Sequence, residues 1–482
     1  MRGLALTLRV IAAGARSAAE HEPRLRRSSK CGRILLMSAC ALLLATLRPG
    51  DGYAKTPVAW VELVGPGAQA SIRVIVDKDA GCPTLTADGE PLAMRVRAEP
   101  GPLLREGKPP PPADFPVRVC EVPAPPGKRV QLDGQPLPLP PADIRRIVVF
   151  GDTGCRIKEQ KKPQNCAKPG KWPYARVAEH AAQAHPDLVI HVGDYLYREK
   201  CDVEACAGEA VGYGWKGWDA DFFTPSAKLF AAAPWIMVRG NHESCSRAAE
   251  GWFRFLFHGQ PGSACTDTSP FFVVDLGSQS FVVMDSSAVA GAEATAAAAA
   301  DGDDDDDDSD DLASESVDEL MAKIRTGYEA IARSIPSHAW LLTHSPFYGV
   351  RLDKRTEQNR IDNPIEFDAL GAEQSPNIQM IVSGHIHMFE ALSFARNDSQ
   401  ANAQWPPQLI VGTGGDKLAK EPQAPDRLFD RQIAHALIVR NFAYMILDRE
   451  GPNWKGSLFD QDGALLAKCE LANRDLACRK QN

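Results

Sequence analysis

The sequence predicts a mixed α/β (α+β) core preceded by a small all-β sandwich. Three observations carry this expectation. Residues 55–143 alternate short apolar runs with Pro/Gly turns and show no helical period. From residue 144 onward, apolar runs alternate with stretches of helical spacing, as in folds that take strands and helices in turn. Five of those later apolar runs each end in Asp, Asn or His.

In chain order, the first segment is a leader, residues 1–54. A basic stretch (Arg24 to Arg33) precedes the apolar run "ILLMSACALLLATL" (Ile34 to Leu47), and "GYA" (Gly52 to Ala54) supplies small residues at cleavage-like positions. The run falls short of the ~18 apolar residues of a spanning helix, so it reads as a secretory signal peptide with Lys55 as first mature residue; an uncleaved anchor is the competing reading. The leader holds nine Lys/Arg against three Asp/Glu, so removing it takes the net charge from −8 to −14. No basic tract survives, which argues against nucleic acid as the main partner.

Between residues 55 and 143, "VAWVELVG", "ASIRVIVD", "MRVRAE", "FPVRVCEV" and "KRVQLDG" read as strands of a β-sandwich of roughly 90 residues. "PLPLPPAD" (Pro136 to Asp143) is a stiff linker before a second domain, residues 144–482. There "YARVAEHAAQAH" (Tyr174 to His185) reads as a helix. Val317 to Ile335 reads as another, with Leu320, Ile324, Tyr328, Ile331 and Ile335 on one face and a capping box from Ser316 and Glu319. Residues 288–314, rich in Ala and Asp without periodicity, read as a disordered surface insertion; the spaced ligands of a calcium loop are absent.

Twelve cysteines occur, two of them in the leader, and the even remainder suggests disulfides in an exported chain. Cys82 with Cys120 and Cys469 with Cys478 are the expected pairs, since each shares a local region. Cys155 and Cys245, next to ligand motifs, fit disulfides bracing those loops. No C-x-x-C occurs to support a zinc ribbon.

The five polar strand ends are Asp152 after "RIVVFG", Asp194 after "DLVIHVG", Asn241 after "WIMVRG", His344 after "AWLLT", and His385 with His387 after "IQMIVSG". Singly, each has a plain structural explanation: Gly-Asp and Gly-Asn are turn dipeptides, and a lone His is usually a packed, hydrogen-bonded residue. Jointly they are specific, because ligands of open α/β sheets bind beyond the carboxyl ends of strands, where these side chains converge. Carboxylate and amide oxygens mixed with imidazoles suit a first-row metal of intermediate hardness. Two metals about 3.5–4 Å apart sharing one carboxylate can clamp a displacement at phosphorus.

The ordered set GD-x-G, GD-x-x-Y, GNHE, a strand-end His and GH-x-H resembles the calcineurin-like metallophosphoesterases, and within them the purple acid phosphatase branch, over about Arg146 to Leu447. "VGTGGD" (Val411 to Asp416) also fits. The resemblance implies a four-layer αββα sandwich after the small all-β domain. It implies two metal ions, Fe(III) plus a divalent Fe, Zn or Mn. Asp152, Tyr197 and His387 would hold the first, Asn241, His344 and His385 the second, and Asp194 would bridge them. Most of the superfamily has Asp-x-His at the first strand. Gly154 stands at that His position here, and Tyr197, which alone would read as a packing residue, stands where the purple branch carries its replacing phenolate.

The implied activity is hydrolysis of phosphate monoesters by attack of a metal-bound hydroxide, in the periplasm or outside the cell, on a small phosphorylated substrate, with no membrane partner after signal cleavage. His242 would bind the phosphate or protonate the leaving oxygen, and Glu243 would orient His242 or a ligand. A phosphodiesterase or nucleotide hydrolase would use the same site. A non-catalytic surface or adhesive protein would rest on the sandwich and the acidic run alone, and every expected ligand position is filled. The substrate-facing histidines of plant-type relatives are missing from "YGVRLDKRTEQNR", where Arg351, Lys354 and Arg355 offer cations instead.

Overall fold

The computed structural model describes residues 57–106, 110–158, 162–199, 201, 206, 209–289, 317–352, 356–361, 377–396, 405–428 and 431–481. The leader, nearly all of the insertion, Ser316, Lys354 and Arg355 lie outside them. No helix of the described residues is long and apolar enough to cross a membrane.

Two sheets form the centre. In the first, of eleven strands, Arg146–Phe150, Leu188–His191 and Trp235–Met237 run parallel. Antiparallel hairpins from Ala443–Glu450 to Asp475–Lys480 extend it on one side. The second, of eight strands, has a parallel centre of Gln279–Val283, Ala339–Leu342, Ile378–Ser383 and Gln408–Val411.

Alternation along each strand decides the layers, because successive side chains point to opposite faces. Ile147 and Val149 join Leu188, Ile190, Trp340, Leu342, Met380 and Val382 in the core between the sheets. Val148 and Phe150 face the other way, against Tyr174, Val177, Ala178 and Ala181 of the helix Tyr174–Gln183. On the far face of the second sheet, Ile324, Tyr328 and Ile331 of the helix Val317–Ser334 pack against Leu341, Ile378 and Ile381. Helix, sheet, sheet and helix make the αββα sandwich.

The N-terminal region is all-β, and its larger sheet is continuous with the central one. Val58–Gly65 pairs in parallel with Trp235–Met237, and Gln69–Asp77, Val117–Pro123 and Arg95–Ala98 follow outward. A four-stranded sheet built on Thr84–Ala87 and Val130–Leu132 covers it, with Leu85, Val130 and Leu132 packed among Val61, Ile72, Val74 and Val122. Thr56–Asn482 forms one compact unit. Cys82 pairs with Cys120 and Cys469 with Cys478, as their spacing suggests.

Buried arginines tie this N-terminal sheet to the loop that follows the GNHE motif. Arg97, wholly buried, donates to the carbonyls of Phe253, Arg254, Phe257 and Gly259 and to Glu121 at 2.7 to 3.2 Å. Arg73 donates to Glu62 and to the carbonyls of Phe255 and Phe257. These carbonyls belong to the irregular turn Trp252–Leu256 and its exit, which lack regular helical partners. Removing one member of a buried ion pair strands the other. Arg97→Met should therefore destabilise the fold by about 3–5 kcal/mol in a urea titration; a loss under about 1 kcal/mol would show these ties to be dispensable.

Candidate metal centre

Register brings the strand ends level. Phe150 lies opposite His191 and Ile190 opposite Ile236, so Asp152, Asp194 and Asn241 leave one edge of the first sheet. Leu342 pairs with Val382, so His344, His385 and His387 leave the matching edge of the second. Asp152, Asp194 and His385 have φ of 58°, 58° and 66°. A left-handed backbone is uncommon outside Gly, and its recurrence at three of these turns marks strain held by the surroundings. The glycines before Asp194, Asn241 and His385 permit the crowding. A Cβ at Gly193 would fall within 3.0 Å of His344, one at Gly240 of Asp194, and one at Gly384 of Asp152.

All seven proposed ligands meet. Tyr197 Oη lies 2.7 Å from Asp194 Oδ2, 3.2 Å from Asp152 Oδ1 and 2.9 Å from His387 Nε2. His344 Nε2 lies 3.1 Å from Asp194 Oδ2 and 2.9 Å from Asn241 Oδ1, and His385 Nδ1 lies 3.2 Å from that same oxygen. Asp194 thus belongs to two donor groups, one with His344 and His385, the other with Asp152 and His387, each with its donor atoms within 4.8 Å of one another.

The tautomers suit a cation. His344 Nδ1 donates to the Val192 carbonyl at 2.7 Å, which leaves the Nε2 lone pair facing two oxygens that also only accept. His387 Nδ1 likewise faces the Lys417 carbonyl and Asp416, both at 3.1 Å, with Nε2 turned to Tyr197 and Asp152. Metal-ligating histidines are oriented by such outer acceptors. Without a cation, protons answer the imbalance. Burial lowers His344, but the charge and hydrogen bond of Asp194 raise it further, to about 10. Burial raises Asp194, yet His344, together with the hydrogen bond from the His242 backbone N–H, outweighs it and holds the carboxylate well below its usual range. Burial, then Asp194 and Asp152, push the Tyr197 phenol well above its ordinary value, and burial pushes Asp152 up as well. A mixed oxygen and imidazole set around one shared carboxylate, with no thiolate, fits two first-row metal ions.

Gly154 explains the phenol's place in steric terms. A Cβ there would come 2.6 Å from Tyr197 N, 2.7 Å from Asp221 Oδ2 and 2.8 Å from the Tyr197 ring. A side chain at 154 and this tyrosine exclude one another.

Around the ligands, Glu243 accepts the backbone N–H groups of Asp194, Tyr195, Leu196 and Gly240 at 2.9 to 3.3 Å, which fixes the two turns relative to each other. Burial and then Asp194 push Glu243 up to about 8. The His242 ring lies tilted at 38° against that of Tyr197 with centroids 3.8 Å apart, and Asp194 Oδ1 accepts its backbone N–H at 2.9 Å. Cys155–Cys166 and Cys245–Cys265 close loops beside the first and third motifs, and Cys201–Cys206 lies just after Tyr197.

Several neighbours were not singled out from sequence. Arg247 Nη2 lies 2.6 Å from Nδ1 and 3.0 Å from Nε2 of His242 and also binds Glu199; burial, then Arg247, hold His242 well below its usual pKa. Arg156 pairs with Asp416 and lies over the Tyr197 ring at 5.5 Å. Ser286 accepts the backbone N–H groups of His344 and Ser345 at 3.2 and 2.9 Å. Only Asp416, inside VGTGGD, carried a sequence signal. Arg351 Nη2 donates to the His385 carbonyl at 3.4 Å.

The sequence profile described as calcineurin-like phosphoesterase matches residues 145–389. Among solved structures, that of a purple acid phosphatase isolated from yellow lupin (Lupinus luteus) seeds is similar, with a TM-score of 0.52 and 14% identity over 88% of this chain and 74% of that one. At that identity the likeness is one of fold. A conserved uncharacterised protein from Streptococcus pneumoniae, a predicted phosphoesterase, covers 70% of this chain and 98% of its own at 11% identity and a TM-score of 0.22. No curated protein matches the sequence.

The crowding at Gly154 makes a direct prediction. Gly154→Ala should cost about 1–3 kcal/mol, since backbone on the Tyr197 side must move. An unchanged unfolding midpoint would show that the space is not limiting.

Proposed function

The chain belongs to the calcineurin-like phosphoesterase family, and from that premise we propose that it is an exported phosphate monoesterase of the purple acid phosphatase kind. The family hydrolyses phosphoric esters at a metal centre. In this reading Asp152, Tyr197 and His387 would hold Fe(III), Asn241, His344 and His385 would hold a divalent Fe, Zn or Mn, and Asp194, which belongs to both donor groups, would be shared. The single observation that carries it is the Tyr197 phenol oxygen, 2.7 Å from Asp194 and 2.9 Å from His387, on a residue whose backbone N and ring edge fill the space a side chain at Gly154 would need. A phenol held neutral by burial, and then by Asp194 and Asp152, becomes a phenolate donor only beside a strong positive charge, which favours a trivalent ion.

When bound, the ions supply Lewis acidity, lowering the pKa of water and neutralising phosphoryl charge. The chain's own residues do the rest. Asp194, ionised at the centre, is available to both ions. His242, kept neutral by burial and by Arg247, offers an N–H to the phosphoryl group or the leaving oxygen from beside Asn241. Asp416, Lys417 and Val192 set the histidine tautomers from behind. Ten cysteines joined in five disulfides support export to an oxidising compartment. A small phosphorylated substrate fits the family.

Two experiments test this reading. Protein loaded with Fe(III) and a divalent ion should show a visible phenolate-to-iron band that disappears in Tyr197→Phe. A colourless, fully active zinc or manganese enzyme would remove the iron assignment and leave the phosphoesterase. Asp194→Ala should lower hydrolysis of a simple aryl phosphate by more than about 100-fold, beyond what losing an outer partner does; full activity would rule out Asp194 as the shared ligand.

A further inference from the structure

Asp221 is a fully buried carboxylate, followed in sequence by Phe222 and Phe223, on the π-helical turn Asp219–Phe223. That turn interrupts the helical segment between Trp215–Trp218 and Thr224–Phe230. Placing a charge there is costly, and a buried ion pair is weak support for stability, so the pairing with Arg198 at 2.5 Å does not account for the residue. π-turns inside helices recur at functional sites, which directs attention to what Asp221 touches.

The first two site loops run side by side as a short parallel ladder. Asp152 N–H donates to Gly193 O and Thr153 N–H to Asp194 O, both at 3.0 Å. Further along, Ile157 N–H donates to Tyr197 O at 2.9 Å and Glu199 N–H to Ile157 O at 2.8 Å. Between these rungs, around Gly154, the backbone N–H groups of Tyr197 and Cys155 turn instead to Asp221. Its Oδ2 accepts from Tyr197 at 3.0 Å, and the carboxylate also accepts from Cys155. A carboxylate can accept both N–H groups and the Arg198 guanidinium at once; an amide would present a donor to one of them. The strut continues outward: Arg198 lies 5.3 Å over the Trp172 ring, and Trp172 Nε1 donates to the Thr153 carbonyl at 2.8 Å.

We infer that Asp221 is the positioning residue for Tyr197: its carboxylate replaces the missing rung between the first two site loops and so sets where the phenol oxygen stands relative to Asp152 and His387. The inference rests on the reading of Tyr197 as an iron ligand. It adds a residue 24 positions away that serves one half of the centre and not the other.

Asp221→Asn keeps the size of the side chain and replaces one acceptor oxygen with a donor. In protein loaded with Fe(III) and Zn(II), its iron affinity should fall roughly 10–100-fold, and the phenolate band should shift and weaken. Zinc bound through Asn241, His344 and His385 should be unchanged, a selectivity that general destabilisation would not produce. By hydrogen exchange, the amides of Cys155 and Tyr197 should lose protection while those of Thr153 and Ile157 keep it. Asp221→Glu retains the charge facing Arg198, and with it the fold, but displaces the acceptor; it should show the same iron-selective loss. Wild-type iron affinity and band in both variants would overturn the inference and leave the Tyr197 reading standing. A wild-type protein without any phenolate band would overturn both together.

Discussion

One buried carboxylate, Asp194, touches both halves of the site, and most of the surrounding structure serves to keep it ionised and in place. Its two oxygens face Tyr197, His344 and the His242 backbone N–H within 3.1 Å. Burial by itself would protonate it. His344 and the His242 backbone N–H reverse that, and the turn that carries it is held by Glu243 through its own N–H and those of the next two residues. Removing His344 leaves the buried carboxylate facing other acceptors, whereas removing Glu243 strands the backbone N–H donors that it accepts.

Such density of donors requires backbone to approach backbone. At Gly193, Gly240 and Gly384 the residue preceding one ligand lies against another ligand, so each glycine is set by a neighbour on a different strand. Gly154 belongs to the same group but has a chemical consequence. The space its missing side chain leaves is shared by the Tyr197 ring and Asp221, and that couples the kind of ligand to the packing of two loops. Three disulfides close around these loops, limiting the freedom of chain that has little regular structure to hold it.

The N-terminal sheet contributes from farther out. Arg73 and Arg97 stand in strands of that sheet, and they are buried where the turn after GNHE packs over them and needs donors for its carbonyls. The same segment carries Glu250, which accepts the N–H groups of Leu103 and Leu104. The loop bearing His242 and Arg247 is thereby anchored to strands more than a hundred residues earlier in the chain.

The sequence by itself determined the strands, the two main helices, and the donor chemistry at each strand end, because these depend on local periodicity and on residues adjacent to a strand. It also flagged Gly154 and Tyr197 as a linked pair, though only through likeness to a family and without a cause. The tertiary structure decided the cause, a collision between a Cβ and a ring, and decided which acceptors face which. It alone revealed Asp221, Arg247, Glu199 and Ser286, whose partners lie on other elements. Burial decided the protonation pressures on His344, Asp194 and Tyr197. The physical reason is the same throughout: spacing along the chain sets which face of a strand a residue occupies, whereas the meeting of two sheet edges sets the ångström distances on which ligand choice and charge depend.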